Sequence, residues 1–261
     1  MAEKRANAGE NPVTPRDASS LLLLRGASTP GKLEVLMVRR HSRSPFAGGM
    51  HVFPGGELED GDRDPGWEKL CREPSPGELE KLCGDGTSRG KALGLMVAGI
   101  RELFEETGIL LASRDPEESI PNPGGESELL REYRVELRSG KLLFQDVVRD
   151  LDLKLDLDRL VFFAHWITPE VSPIRYDTRF FLAPAPAGQE PDHDREEITA
   201  CIWVEPGTAL RMCSEGEFPL LPPTMANLYI LADFHAVHEA LEAAREREVP
   251  TVMPHFGSPD R

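Results

Sequence analysis

The stretch Ser88–Ile109, "SRGKALGLMVAGIRELFEETGI", decides how this chain is to be read. Its apolar residues recur at helical spacing and Gly108 marks a stop, so the pattern predicts one helix over Ser88–Gly108. Advancing about 100° per residue from Glu102 places Glu105 at about 300° and Glu106 at about 40°. Three carboxylates therefore share one face, behind the small residues Ala98 and Gly99. Leu93, Met96, Val97, Ile100, Leu103 and Phe104 cover the other face and suit a core. Like charges four residues apart, here Glu102 and Glu106, weaken a helix unless something positive offsets them. A divalent cation that prefers hard oxygen ligands, magnesium or manganese, supplies that offset. An ordinary solvated acidic face is the competing reading.

A second stretch, "MHVFPGGELEDGD" from Met50 to Asp62, holds strand-forming Val52 and Phe53, a turn-fixing proline, two glycines and then acids. Together "GGELEDGD" and "RELFEETGI" resemble the two halves of the Nudix box: a glycine, five residues, an acid, seven residues, then R-E-apolar-x-E-E-x-G-apolar. Arg101, Glu102, Leu103, Glu105, Glu106, Gly108 and Ile109 match every defined position of the second half. The first half departs once, with Asp62 where the family usually has glutamate. The larger departure is spacing: 38 residues separate Asp62 from Arg101, so about 31 are inserted into the box. That split resembles the acyl-CoA diphosphatase branch of the Nudix family, which carries a long insertion at this place. "HWITPEVSPIRYDTRFFLA" and "LLPPTMANL" are similar to the same branch, and the resemblance spans roughly residues 18–241.

Bulk properties limit what such a site can serve. At 261 residues and 39% hydrophobic content, the chain suits one enlarged domain. A net charge of -15, from 45 acidic against 30 basic residues, opposes the attraction to phosphate backbones that nucleic-acid binders rely on. Nucleic acid is not an expected partner. A small polyanion is compatible with this charge, provided a metal or a local basic patch neutralises it where it binds. Cys71, Cys83, Cys201 and Cys213 form no CxxC pair and read as reduced thiols. The polar start lacks an apolar signal core, and "LLLL" at Leu21–Leu24 is too short to be one or to span a bilayer. The final "GSPDR" does not match the peroxisomal tripeptide pattern. These features predict a cytoplasmic protein with no membrane partner; the residues specify no oligomeric state.

Along the chain, residues 1–15 read as a disordered lead, 16–250 as the domain and 251–261 as a tail. Ser19–Arg25 and Leu33–His41 read as strands joined by a turn at Gly26, Pro30 and Gly31. Residues 57–89 shift to Gly, Pro, Cys and charge, which predicts an insertion with short helices lying outside the core. Residues 126–148 read as mainly helical, and "LVFFAHWIT", "TRFFLAPA" and "ITACIWVE" as strands. A long closing helix is expected over Thr224–Glu248, after Pro222-Pro223. "DLDLKLDLD" alternates like a strand but is rich in Asp, a poor strand former, and stays unassigned.

The Nudix resemblance implies an α/β fold, an α/β/α sandwich with a mixed sheet, the box helix on one face and the C-terminal helix on the other. It implies a metal-dependent diphosphatase using Mg2+ or Mn2+, held by Glu102, Glu105, Glu106 and the Gly55 carbonyl. Arg101 is expected to clamp the acids, and Asp62 to reach metal through water or to orient the loop. Glu196 and Glu197 are candidates for the late-chain acid that assists catalysis in several Nudix enzymes; a solvated hairpin is their alternative. Part of a coenzyme A motif is kept: Arg40, Gly49, Phe53, Gly55 and Gly56 fall in register, while His41 and Pro45 replace a usual Ser and Arg. Arg40 and Arg43, with Arg39 and His41, are candidates for the ribose phosphate, since guanidinium forks suit phosphate; a solvated edge strand is the alternative. Trp166, Phe180 and Phe181 fit a core better than an adenine platform, and His165, His235 and His238 read as structural. The implied substrate is coenzyme A or acyl-CoA, cleaved to 3',5'-ADP and (acyl-)phosphopantetheine. ADP-ribose, NADH or another nucleoside diphosphate derivative, and a non-catalytic ligand sensor, are the alternatives.

Overall fold

The computed structural model describes residues 13–114, 126–193 and 197–254. In chain order its elements are β1 (Arg16–Gly26), β2 (Leu33–Arg40), β3 (His51–Val52), β4 (Gly55–Glu57), α1 (Trp67–Leu70), α2 (Pro76–Cys83), α3 (Arg89–Thr107), β5 (Ala112–Ser113), α4 (Glu126–Arg138) and α5 (Phe144–Asp150). Then follow β6 (Lys154–Leu155), β7 (Val161–Ile167), β8 (Tyr176–Pro184), β9 (Ile198–Val204), α6 (Pro206–Ser214), α7 (Pro222–Leu231), α8 (Val237–Glu246) and β10 (Thr251–Val252). The main sheet runs β10-β7-β8-β1-β2-β3, with β4 on β1 and β9 on β2. It is mixed: β1 lies parallel to β8 and antiparallel to β2 and β4. Most of the lead expected over 1–15, and residues 255–261 of the expected tail, lie outside the described residues. The start of that tail is a strand, β10, parallel to β7.

The four consecutive leucines of β1 show why this is a sandwich. Leu21 and Leu23 face a cluster with Met96, Ile100, Leu103 and Phe104 of α3, while Leu22 and Leu24 face Leu228, Leu231, Ala240 and Leu241 of α7 and α8. A strand buried on both faces reads as a continuous apolar run, because alternate side chains both meet helices. The result is the α/β/α arrangement, with α3 on one side and α7 and α8 on the other.

Two expectations, the closing helix and the insertion, are corrected, and two other regions gain detail. The closing helix is two, because Ala236 adopts an extended conformation (φ -143°, ψ 151°) and Glu239 turns back to accept the His235 N–H at 3.1 Å, starting α8 afresh. Residues 126–148 are mainly helical as expected, divided near Gly140 at φ +70° into α4 and α5. "DLDLKLDLD" holds only the two-residue β6 and a 3-10 turn, with Asp156 buried under Ser113 and Arg72. Finally, the insertion is part of the core: Trp67, Leu79 and Leu82 are buried in the α3 cluster. Glu78 of α2 accepts the Phe162 N–H at 2.6 Å where the β7–β8 register shifts. Its ends meet on one acid, since Asp17 of β1 pairs with Arg63 at 3.4 Å and Lys91 at 2.6 Å. Among the described residues no helix is long and apolar enough to cross a membrane.

Candidate active site

Helix α3 starts on Ser88, whose hydroxyl accepts the Lys91 N–H, and ends at Gly108 in the left-handed region. Midway, it presses on β1: a Cβ at Gly99 would lie 2.8 Å from the Ser19 hydroxyl. Gly55 of β4 is equally tight, its would-be Cβ 2.3 Å from the Ser19 carbonyl. These two glycines let helix and strand approach until side chains on α3 touch the β4 backbone. The Gly55 N–H donates to Glu106 Oε2 at 3.2 Å, and Gly56 lies against the Glu102 carboxylate. The acid face is therefore no solvated surface. Side chains of Glu102, Glu105 and Glu106 are 16%, 21% and 5% exposed.

Arg101 joins the half-boxes. Its Nε and Nη2 reach the two oxygens of Asp62 at 2.9 and 3.0 Å, Nη2 also reaches the Glu57 carbonyl, and Nη1 donates to Glu102 and Glu105. Asp62 Oδ2 also accepts the Glu59 N–H, so this acid ties the loop to Arg101.

The acids carry more charge than their surroundings balance. Burial pushes Glu102 up to about 7 against the pull of Arg101. Burial likewise raises Glu105, and raises Glu106 well above the carboxylate range with Glu102 adding repulsion. As placed, no three His, Cys, Asp or Glu among the described residues converge as a ligand shell. Glu102 and Glu105 turn to Arg101, and Glu106 to Gly55.

Arg40 reaches this group from the end of β2, with Nη1 3.9 Å from Glu106 and Nη2 2.8 Å from Glu197. Glu197 is thereby brought beside the box acids; Glu196 lies outside the described residues. Gly49, at φ +77°, closes the loop after β2 by donating to the Arg40 carbonyl. Arg43 is exposed in that loop and pairs with no acid among the described residues. Phe53 is a core residue, edge-on to Phe180 at 6.5 Å.

A family model of the NUDT19 Nudix domain matches residues 83–231, more than half of the chain. The chain belongs to the NUDT19 Nudix family. An acyl-coenzyme A diphosphatase NUDT19 from Gallus gallus is 30% identical over 273 positions, covering 89% of this chain and 72% of that one. A Homo sapiens protein of the same name is 26% identical, with 91% and 76% covered. Among solved structures, a NUDIX hydrolase from Alicyclobacillus acidocaldarius superposes with a TM-score of 0.70 at 25% identity, covering 88% of this chain and 96% of that one. The protein is a Nudix hydrolase, and its Nudix helix is α3.

Two residues beside this site are given no role by the sequence. Tyr176 donates to Glu57 at 3.2 Å, lies under Arg16 and packs edge-on against Phe46, building one wall beside β4. Arg134 of α4 grips the end of the Nudix helix through backbone carbonyls. Tyr176 lies in the "RYDT" stretch, which assigns it no role, and Arg134 has no local pattern. Gly99 did give a signal, since glycine inside a helix usually has a packing reason.

Proposed function

We propose that this Nudix hydrolase is a divalent-metal-dependent diphosphatase of coenzyme A or acyl-CoA, yielding 3',5'-ADP and (acyl-)phosphopantetheine. The observation that carries the reading is the desolvated trio Glu102, Glu105 and Glu106 against Gly55 and Gly56. Its donors are all hard oxygens, and burial raises their proton affinity, so they fit Mg2+ or Mn2+. Those three carboxylates, with the Gly55 carbonyl, would hold the metal. When bound, it would supply charge neutralisation on the diphosphate and activation of water. Substrate identity rests on the relatives named acyl-coenzyme A diphosphatase.

Within this reading Arg101 holds Glu102 and Glu105 in place. Arg40 and Arg43 meet phosphate groups, and Gly49, Gly55 and Gly56 let the substrate approach backbone closely. Phe53, between β3 and β4, supports this stretch from the core. A phosphate engaging Arg40 would release Glu197 Oε1 to take a proton from the attacking water. Cys71, Cys83, Cys201 and Cys213 are not joined in disulfides, in keeping with a cytoplasmic setting. The test is turnover of CoA, acyl-CoA, ADP-ribose and NADH by wild type and Glu106→Gln, with Mg2+, Mn2+ or EDTA. Turnover of CoA species that needs metal and collapses in a folded Glu106→Gln protein is expected. Turnover confined to ADP-ribose or NADH would reject the substrate, and near-normal Glu106→Gln activity would reject the metal site.

A further inference from the structure

We infer that Arg134 is a positioning residue for Glu105 and Glu106, an inference that rests on the metal-binding reading of those acids. The last four carbonyls of an α-helix have no partner within it. In α3 these belong to Phe104, Glu105, Glu106 and Thr107. The Gly108 N–H takes Phe104 O at 2.8 Å and the Asp192 N–H takes Thr107 O at 2.8 Å. The two carbonyls between them are held by Arg134, with Nε on Glu105 O at 2.7 Å and Nη2 on Glu106 O at 2.6 Å. One planar guanidinium thus fixes two successive peptide planes, and those planes carry the side chains of two box acids. An ammonium group has no such fork.

The surroundings hold that fork in place. Arg134 is 7% exposed on the inner side of α4, beside Leu130, Tyr133 and Leu137, which pack into the same cluster as α3. Gly108 makes room for it, since a Cβ there would lie 3.3 Å from Nη1. A positive group also suits the negative end of a helix. The same helix end also receives Asp192, from the chain that follows β8. Arg134 therefore sits where the Nudix helix and α4 are registered to one another. It touches no substrate, and works by keeping Glu105 and Glu106 at a fixed rotation about the α3 axis.

The test compares Arg134→Lys and Arg134→Gln with Leu130→Ala, which loosens the apolar seat of α4 and leaves the fork intact. Mn2+ alone is titrated by calorimetry onto each full-length protein, beside melting temperature and acyl-CoA turnover. The two Arg134 variants should stay folded and bind Mn2+ about tenfold more weakly, the usual scale for losing a group that orients ligands. Their kcat should fall by about 100-fold with KM nearly unchanged. Leu130→Ala should melt earlier yet keep Mn2+ affinity and kcat. Arg134 variants that match wild type overturn the inference. So does a Leu130→Ala protein with an equal loss, since docking of α4 would then be the cause. Wild type that binds no Mn2+ would fail the metal reading and this role with it. Wild type that binds Mn2+ without cleaving acyl-CoA would fail only the substrate reading, and the variants' Mn2+ affinities would still decide.

Discussion

Arg101 and Asp62 meet through two parallel hydrogen bonds of 2.9 and 3.0 Å, with side chains 6% and 2% exposed. This pair is what makes one site of two half-boxes that stand 38 residues apart. Asp62→Asn keeps the shape but turns an amide donor toward a guanidinium that only donates. Breaking one side of a buried pair costs about 3 to 5 kcal/mol, so urea unfolding should show a loss on that scale. A variant within about 1 kcal/mol of wild type, the scale of an exposed pair, would show that the pair does not hold the box together.

Gly55 and Gly56 should respond differently to alanine although they are neighbours. At Gly55 the new Cβ would lie 2.3 Å from Ser19 O and 2.7 Å from Ser20 Cα, both backbone, so β4 would have to leave β1. At Gly56 it would lie 2.3 Å from Glu102 Oε1, the end of a side chain that can swing. Gly55→Ala should therefore lose cooperative unfolding or melt much earlier. Gly56→Ala should melt near wild type yet lose about 100-fold in turnover, the scale of an ångström misplacement. Circular dichroism melts and kcat on one preparation distinguish them; equal effects on stability would contradict the packing described here.

The strands and α3 were legible because each has a periodic or continuous apolar signal, as in Leu21–Leu24 and Met96–Phe104. The order of acids on α3 followed from helix geometry alone. What sequence could not give was depth: spacing puts Glu102, Glu105 and Glu106 on one face, but only the close approach of Gly99 to Ser19 shows that face to be desolvated. Arg134 was equally hidden, since in "LLREYRVELR" it looks like its neighbours Arg131 and Arg138. The insertion misled for a different reason. Its Gly, Pro and charge dominate composition, while three residues, Trp67, Leu79 and Leu82, decide where it packs.

Trp67 gives that correction a direct test. It is 3% exposed, tilted against Phe144 at 5.5 Å, and donates from its indole to Gly61 O at 2.9 Å. Trp67→Ala should cost about 3 to 5 kcal/mol, the usual range for removing a buried aromatic ring. Replacing residues 64–86 by a short linker should give a protein without a cooperative melt. A well-folded deletion would return the insertion to the status of a surface excursion.

The raised pKa of Glu102 predicts how stability should change with pH in EDTA. Burial moves the folded carboxyl from an ordinary 4.5 to about 7. Between those values the folded chain holds a proton that the unfolded chain has released, so this share of stability is complete below about pH 4.5 and lost as pH rises through about 7. Glu102→Gln has no such proton to lose. The two proteins should thus be similar at pH 4.5, and the variant should become the more stable by pH 8, with a ceiling of order 3 kcal/mol. His51, which burial lowers to about 4, titrates in both proteins and drops out of the difference. Urea unfolding at several pH values measures it directly. Saturating Mn2+ should then reverse the order at pH 8, because a cation stabilises the folded state only where its ligands remain. A stability difference that stays flat with pH would mean that Glu102 is solvated after all, and a variant that gains as much from Mn2+ as wild type would remove Glu102 from the metal site.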